Sequence, residues 1–220
     1  MESVMSLFGI MMVNIILSGD NAVVIALASR SLPAKQQKKA ILWGSAGAIG
    51  LRVVLTIVVV KLLQIPYLQF VGGILLVWIA VKLVMENGEG ENVDAYSSFW
   101  SAVKTIIIAD LVMSLDNTLA IAAVAKGDYL LLTLGLLISV PLIICGSQLI
   151  VKIMNRFPVI VFAGAGLIAW TAGEMMQRDK LYVTFANLVV PAILTTGVIA
   201  AGIWHKNYRK VLVENELTVE

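Results

Sequence analysis

The chain has 220 residues, 60% of them apolar and only 14% charged, with a formal net charge of +2. A soluble domain carries about 25% charged residues, and a chain of this length has too little interior to hide so much apolar surface from water. A water-soluble fold is therefore excluded, and so small a charge does not point to nucleic acid.

A run of about 20 apolar residues crosses hydrocarbon as a helix. Only helices or closed barrels satisfy their backbone in lipid, and these runs lack the period-two alternation of a barrel strand. Spans are predicted at 3–29, 40–63, 66–86, 98–125, 129–150, 157–177 and 183–204. The first opens Met1-Glu2 with no basic region, is long, and holds Asp20 in its middle, so it is expected to stay as a span and not to be cleaved as a signal peptide. Gly19 beside Asp20 makes a break in this helix plausible. Met5, Met11 and Met12 read as lipid-facing filler.

Span two carries Gly44, Gly47 and Gly50, which permit close helix packing, and then Arg52. Span three is followed by an acidic loop, Glu86 to Asp94. Span four holds Asp110, Ser114, Asp116 and Asn117. Span five contains Pro141 and the single cysteine, Cys145, which cannot form an intrachain disulfide. Span six has Gly164 and Gly166 and ends at Glu174, an interfacial charge. Pro141 and Pro191 are expected to kink spans five and seven.

The chain repeats itself. Asn14-Ile15-Ile16-Leu17-Ser18-Gly19-Asp20-Asn21 matches Asp110-Leu111-Val112-Met113-Ser114-Leu115-Asp116-Asn117, and Ile25-Ala26 then matches Ile121-Ala122. Pro66, Phe70, Gly72, Leu75, Trp78 and Ala80 correspond to Pro158, Phe162, Gly164, Leu167, Trp170 and Ala172. Between them Gly44 and Lys61 pair with Gly135 and Lys152. Each unit contains three spans, and an odd number of crossings turns the second copy upside down. The expected fold class is all-α: a polytopic membrane protein of about seven transmembrane helices, two inverted three-helix repeats plus a seventh helix. Repeat one is expected over 1–87, an acidic loop over 88–97, repeat two over 98–180, the seventh helix over 181–205 and a tail over 206–220. Inverted repeats recur in secondary transporters, with the substrate held near the midplane where they meet.

Lys and Arg in short loops set orientation. Arg30, Lys35, Lys38, Lys39, Lys152, Arg156, Lys206, Arg209 and Lys210 fall on one side; Lys61, Lys126, Arg178 and Lys180 fall on the other. The expectation is a multi-pass protein of the cell (inner, cytoplasmic) membrane, amino terminus outside and carboxyl terminus cytoplasmic.

An ionisable residue at mid-span costs about 2.5–3.5 kcal/mol on insertion scales. Asp20, Arg52, Asp110 and Asp116 are such residues, with Asn14, Asn21, Ser114 and Asn117 nearby in sequence. The inversion should bring Asp20 and Asp116 together. Residues 110, 114 and 117 share a helical face, whereas Asp116 points about 120° from Asp110 on an ideal helix. Either span four is unwound there, or Asp110 supports the site from behind. No His or Cys joins the set, since the lone His205 lies at the end of span seven. All-oxygen sites suit hard cations such as Mg²⁺, Ca²⁺ and Mn²⁺. Three carboxylates and one guanidinium sum to minus two, which balances one divalent ion. A proton relay or a buried structural network is the alternative. Arg52 either holds the carboxylates when the site is empty, as a charge-balancing or gating residue, or pairs with one structurally.

The two Asp-Asn motifs, in this spacing and order, resemble those of the TerC family, above all its short, YjbE-type bacterial branch, within the lysine-exporter superfamily. The resemblance covers roughly residues 1–200. It implies a manganese exporter whose metal-binding aspartates are Asp20, Asp110 and Asp116. Many members have Glu where this chain has Asn14, so the first motif offers one carboxylate fewer. Tellurite is an unsuitable cargo, because an oxyanion would meet an acidic site. The expected function is manganese efflux by alternating access, driven by proton or cation exchange, with Mn²⁺ as transported ion and no permanently bound cofactor. The expected partners are the metal ion and the lipid bilayer; homo-oligomerisation stays open. No enzymatic activity is expected, and no Gly-x-x-x-x-Gly-Lys-Ser/Thr motif is present. The alternatives are a membrane scaffold working through the acidic loop and tail, or an amino-acid or calcium exporter.

Overall fold

A computed structural model gives the fold; it describes residues 8–9, 11–14, 17–62, 65–85, 95–125, 129–178 and 188–217. The described residues are helical with short turns. The helices are α1 (Gly19–Ser29), α2 (Ala34–Leu62), α3 (Leu68–Met85), α4 (Ala95–Ala125), α5 (Tyr129–Arg156), α6 (Val159–Arg178) and α7 (Val189–Leu217). Among the described residues, four segments are long and apolar enough to cross a membrane: Leu68–Met85, Thr133–Arg156, Val159–Gln177 and Val189–Tyr208. At 1.5 Å per residue, the 29 residues of α2 and the 31 of α4 also reach well beyond the about 30 Å of a hydrocarbon core. Arg52 and Asp110, buried midway along them, turn one face of each toward the bundle interior. This is an all-α, polytopic membrane protein.

The first span is interrupted. Residues 11–14 are helical, Ser18 leaves helical geometry at φ −105° and ψ 9°, and α1 starts again at Gly19. Gly19 leaves open space here, with no atom within 4 Å of where a Cβ would stand. Span four has Leu115 in the corresponding place, and α4 runs through it without a break. The unwinding of span four considered from the sequence therefore does not occur.

The helices pack as a doubled unit. α2 lies along α4 and α5 lies along α1; α3 packs on α6, α1 on α4, and α2 on α5. The lesser contacts of α1 with α6 and of α4 with α3 also correspond. Exchanging α1–α3 for α4–α6 maps these neighbours onto themselves, as two three-helix copies about a two-fold would require. α7 lies outside the exchange and packs on α6 and α3. The core is built from Ile25, Ile41, Leu76, Ile79, Ile106, Met154 and Ile168, all almost fully buried. Trp43, Val54, Trp78, Leu142 and Ile193 stand more than half exposed, a surface that suits lipid.

Glycines set the closest approaches. A Cβ on Gly44 would lie 2.8 Å from Ile106 across the α2–α4 contact, and one on Gly173 would lie 2.6 Å from the Pro191 Cα. Gly50, expected to permit packing, instead faces open space. Pro191 is not a mid-span kink. The helix begins at Val189, so Pro191 sits in the first turn, where its missing N–H has no partner to lose. Pro141 lies inside α5. Hydroxyls in the spans fold back on their own helices: Ser139 donates to the Gly135 carbonyl and Thr196 to that of Ala192, both at 2.8 Å. This satisfies them where water is absent.

Candidate ion site

The break at Ser18, the middle of α2 and the middle of α4 meet in a buried polar cluster. Arg52 projects from α2 into it with a side chain only 2% exposed. Its Nη2 donates to Asp110 Oδ1 at 2.7 Å and its Nε to Ser114 Oγ at 2.8 Å. Its Nη1 donates to Asn14 Oδ1 at 2.8 Å and to Ser18 Oγ at 3.3 Å. Ser114 Oγ in turn donates to Asp110 Oδ2 at 3.1 Å, one helical turn away. Asn14, Ser18, Asn21, Arg52, Asp110 and Ser114 are all buried.

A buried guanidinium is tolerated only when its donors are met and its charge is paired. Both conditions hold here, and the planar fork is what allows one side chain to reach Asn14, the break at Ser18 and α4 together. The sequence left open whether Asp110 lines the site or supports it. In the structure it is the partner of Arg52, on the helical face it shares with Ser114.

Asn21, in the first turn of α1, donates from Nδ2 to Asp110 Oδ1 at 2.8 Å. A carboxylate only accepts, so the amide nitrogen must be the atom that faces it. This fixes the other end of the amide, and Asn21 Oδ1 is buried with no hydrogen-bond partner. An orphaned buried oxygen costs about 1–3 kcal/mol. Asp20, next in the chain, is partly exposed and accepts from the Asn21 backbone N–H at 2.8 Å. Asn117 Nδ2 reaches across from α4 to the Leu17 carbonyl at 2.9 Å, a backbone group freed by the break.

A family model described as "Integral membrane protein TerC family" matches residues 1–210. The chain belongs to the TerC family. Membrane protein YjbE of Bacillus subtilis (strain 168) is 41% identical over 215 residues, covering 95% of this chain and 99% of YjbE. YceF of the same organism is 26% identical, over 84% of this chain and 77% of its own length. The inner membrane protein YoaE of Escherichia coli (strain K12) is 26% identical over 84% of this chain but only 41% of YoaE, a longer protein. No solved structure is similar enough to count as a match.

In this TerC-family chain the structure brings together Asn14, Asn21, Arg52, Asp110 and Ser114 from the residues nominated by sequence, with Asp20 and Asn117 at the edge. The side chain of Asp116 lies outside the described residues, so its expected approach to Asp20 does too. Among the described residues no three His, Cys, Asp or Glu side chains gather as a metal group. Ser18 was not nominated, although its repeat partner Ser114 was; the repeat itself was the signal that could have found it. Glu174 accepts from Trp170 Nε1 at 2.9 Å on an exposed face of α6, far from any ligand role.

Proposed function

We propose that this chain exports a divalent cation, Mn²⁺ in the first place, by alternating access through the cluster where α1, α2 and α4 meet. The observation that carries the reading is the orphaned Asn21 Oδ1. It is a buried acceptor with no donor, on the residue that follows Asp20 in the chain and whose amide nitrogen is bonded to Asp110. A cation supplies what that atom lacks. The oxygens of Asp20, Asp110, Asp116, Asn14, Asn21, Asn117 and Ser114 are hard ligands, suited to Mn²⁺, Ca²⁺ or Mg²⁺. The three carboxylates supply the negative charge that a divalent ion requires, and Arg52 neutralises one of them while the site is empty.

Export is the direction that the TerC resemblance implies, and the basic loops and carboxyl terminus are expected in the cytoplasm. Protons competing for the same carboxylates, or a second cation, would drive the cycle. The test uses Asp20→Asn and Asp116→Asn, which keep size and remove charge. Each loses a full ligand charge in a low-dielectric site, where Coulomb terms far exceed those in water. Cells carrying either variant, at matched membrane abundance, should lose resistance to high manganese and accumulate the metal. Normal export by the double variant would sink the reading. Uptake into inverted vesicles, with Ca²⁺, Mg²⁺ and lysine as competitors, identifies the cargo: competition by lysine alone would favour an amino-acid exporter.

A further inference from the structure

Two of the ionisable residues at mid-span have no charged counterpart in the repeat. Asp110 corresponds to Asn14. In the register that pairs Gly44 with Gly135 and Lys61 with Lys152, Arg52 corresponds to Ile143. These two unmatched residues bind each other, at 2.7 Å with side chains 2% and 9% exposed. Asp20, which does repeat as Asp116, is held by a backbone N–H instead.

The oxygens on which Arg52 spends its donors include Asp110 Oδ1, Ser114 Oγ, Asn14 Oδ1 and Ser18 Oγ. The first three belong to the set that a cation would use. A guanidinium and a divalent cation cannot share those lone pairs, and their like charges repel. We propose that Arg52 is a tethered stand-in for the cargo: it fills the oxygen set while the carrier is empty, latches α2 to α4 there, and leaves when a cation loads. This inference rests on the ion-site reading above.

The latch also makes the two access states unequal. Inverted repeats exchange equivalent contacts between those states. The contact equivalent to α2–α4 is α5–α1, where Ile143 and Asn14 stand in place of Arg52 and Asp110. No ion pair can form between them, so the empty carrier rests with α2 held on α4.

The test is Mn²⁺ binding to the full chain in lipid nanodiscs at pH 8, read from loss of the EPR signal of free Mn²⁺. Arg52→Met removes the stand-in and leaves the oxygens to the metal. It should bind Mn²⁺ roughly tenfold or more tightly than the wild type, since a buried charge stripped of its partner is strongly unfavourable, and it should export more slowly. Arg52→Met with Asp110→Asn also takes one carboxylate from the metal's own oxygen set and should return affinity toward the wild-type value. Arg52→Lys, which keeps the charge but not the fork, should fall between wild type and Arg52→Met, and it serves if Arg52→Met does not fold. Equal or weaker binding by a folded Arg52→Met or Arg52→Lys overturns the stand-in and leaves Arg52 a purely structural residue. A wild type that takes up no Mn²⁺ sinks the ion-site reading itself, and this inference with it.

Discussion

Along α3 and α6 the internal repeat is kept at Gly72 and Gly164, Leu75 and Leu167, Trp78 and Trp170, and Ala80 and Ala172, while Gly73 answers to Ala165 and Leu76 to Ile168. These helices pack on each other, and Leu76 and Ile168, one on each helix, are completely buried. Where α1, α2 and α4 cross, the repeat is kept at Ser18 and Ser114, Asp20 and Asp116, and Asn21 and Asn117, but broken at Asn14 and Asp110 and at Arg52 and Ile143. An interface of two like helices constrains apolar character and volume on both, because interiors are close-packed, and an exchange such as Leu76 for Ile168 stays within that limit. A polar cluster has no such requirement. It needs only that every buried donor and charge be satisfied, and an asymmetric ion pair does that. The repeat thus persists in apolar character along α3 and α6 and in Asp20 and Asp116 at the crossing, and it fails where Arg52 and Asp110 pair.

The largest expected effect tests the polar crossing. Asp110→Ala leaves Arg52 buried without its carboxylate, and breaking one partner of a buried pair costs about 3–5 kcal/mol. The variant should melt at a markedly lower temperature in detergent, or fail to accumulate in the membrane. Asp110→Ala with Arg52→Met should recover most of that loss. A single variant as stable as the wild type would show that the pair does not support the crossing.

The scaffold side should respond more mildly and in a different way. Gly173→Ala brings a methyl to within 2.6 Å of the Pro191 Cα, which is backbone and cannot swing aside. Overpacking of this kind costs about 1–3 kcal/mol. The melting temperature should fall, while Mn²⁺ affinity of the folded fraction stays at the wild-type value. A change in affinity without a change in stability would mean that the α6–α7 contact, and not the crossing alone, shapes the site.

How far the sequence reveals this division depends on the level asked. The spans, the repeat and the break at Gly19 follow from hydropathy, matching residues and the one residue that tolerates an interruption. The start of α7 did not: an apolar run from 183 hides that the helix begins at Val189, which turns Pro191 from a kink into a first-turn residue. Helical period placed Asp110 with Ser114, and it could not say which carboxylate Arg52 would take. That choice depends on the reach of a long side chain to Asn14, the break at Ser18 and α4 together, which no local pattern encodes. The orphaned Asn21 oxygen follows from that choice, because Asp110 orients the amide, so it too was invisible until the helices were placed.

The smallest expected effect falls at the ends of α3 and α6, where the repeat keeps a form and reverses a charge. Lys82 Nζ lies 5.5 Å from the centre of the Trp78 ring, a turn before it; in the equivalent place Trp170 Nε1 donates to Glu174 at 2.9 Å. Tryptophan with a charged neighbour suits a membrane–water boundary. Neither pair joins the polar cluster. Glu174→Gln keeps an acceptor for the Trp170 N–H and removes only a charge that water can solvate, so fold and export should both remain near wild type. The comparison that sharpens this is Asp20→Asn, the same carboxylate-to-amide change made in the cluster. If vesicle uptake falls with Asp20→Asn and holds with Glu174→Gln, transport depends on where the carboxylate sits and not on total acidity. Equal losses from both would extend the ion path to the end of α6 and remove the distinction between scaffold and site.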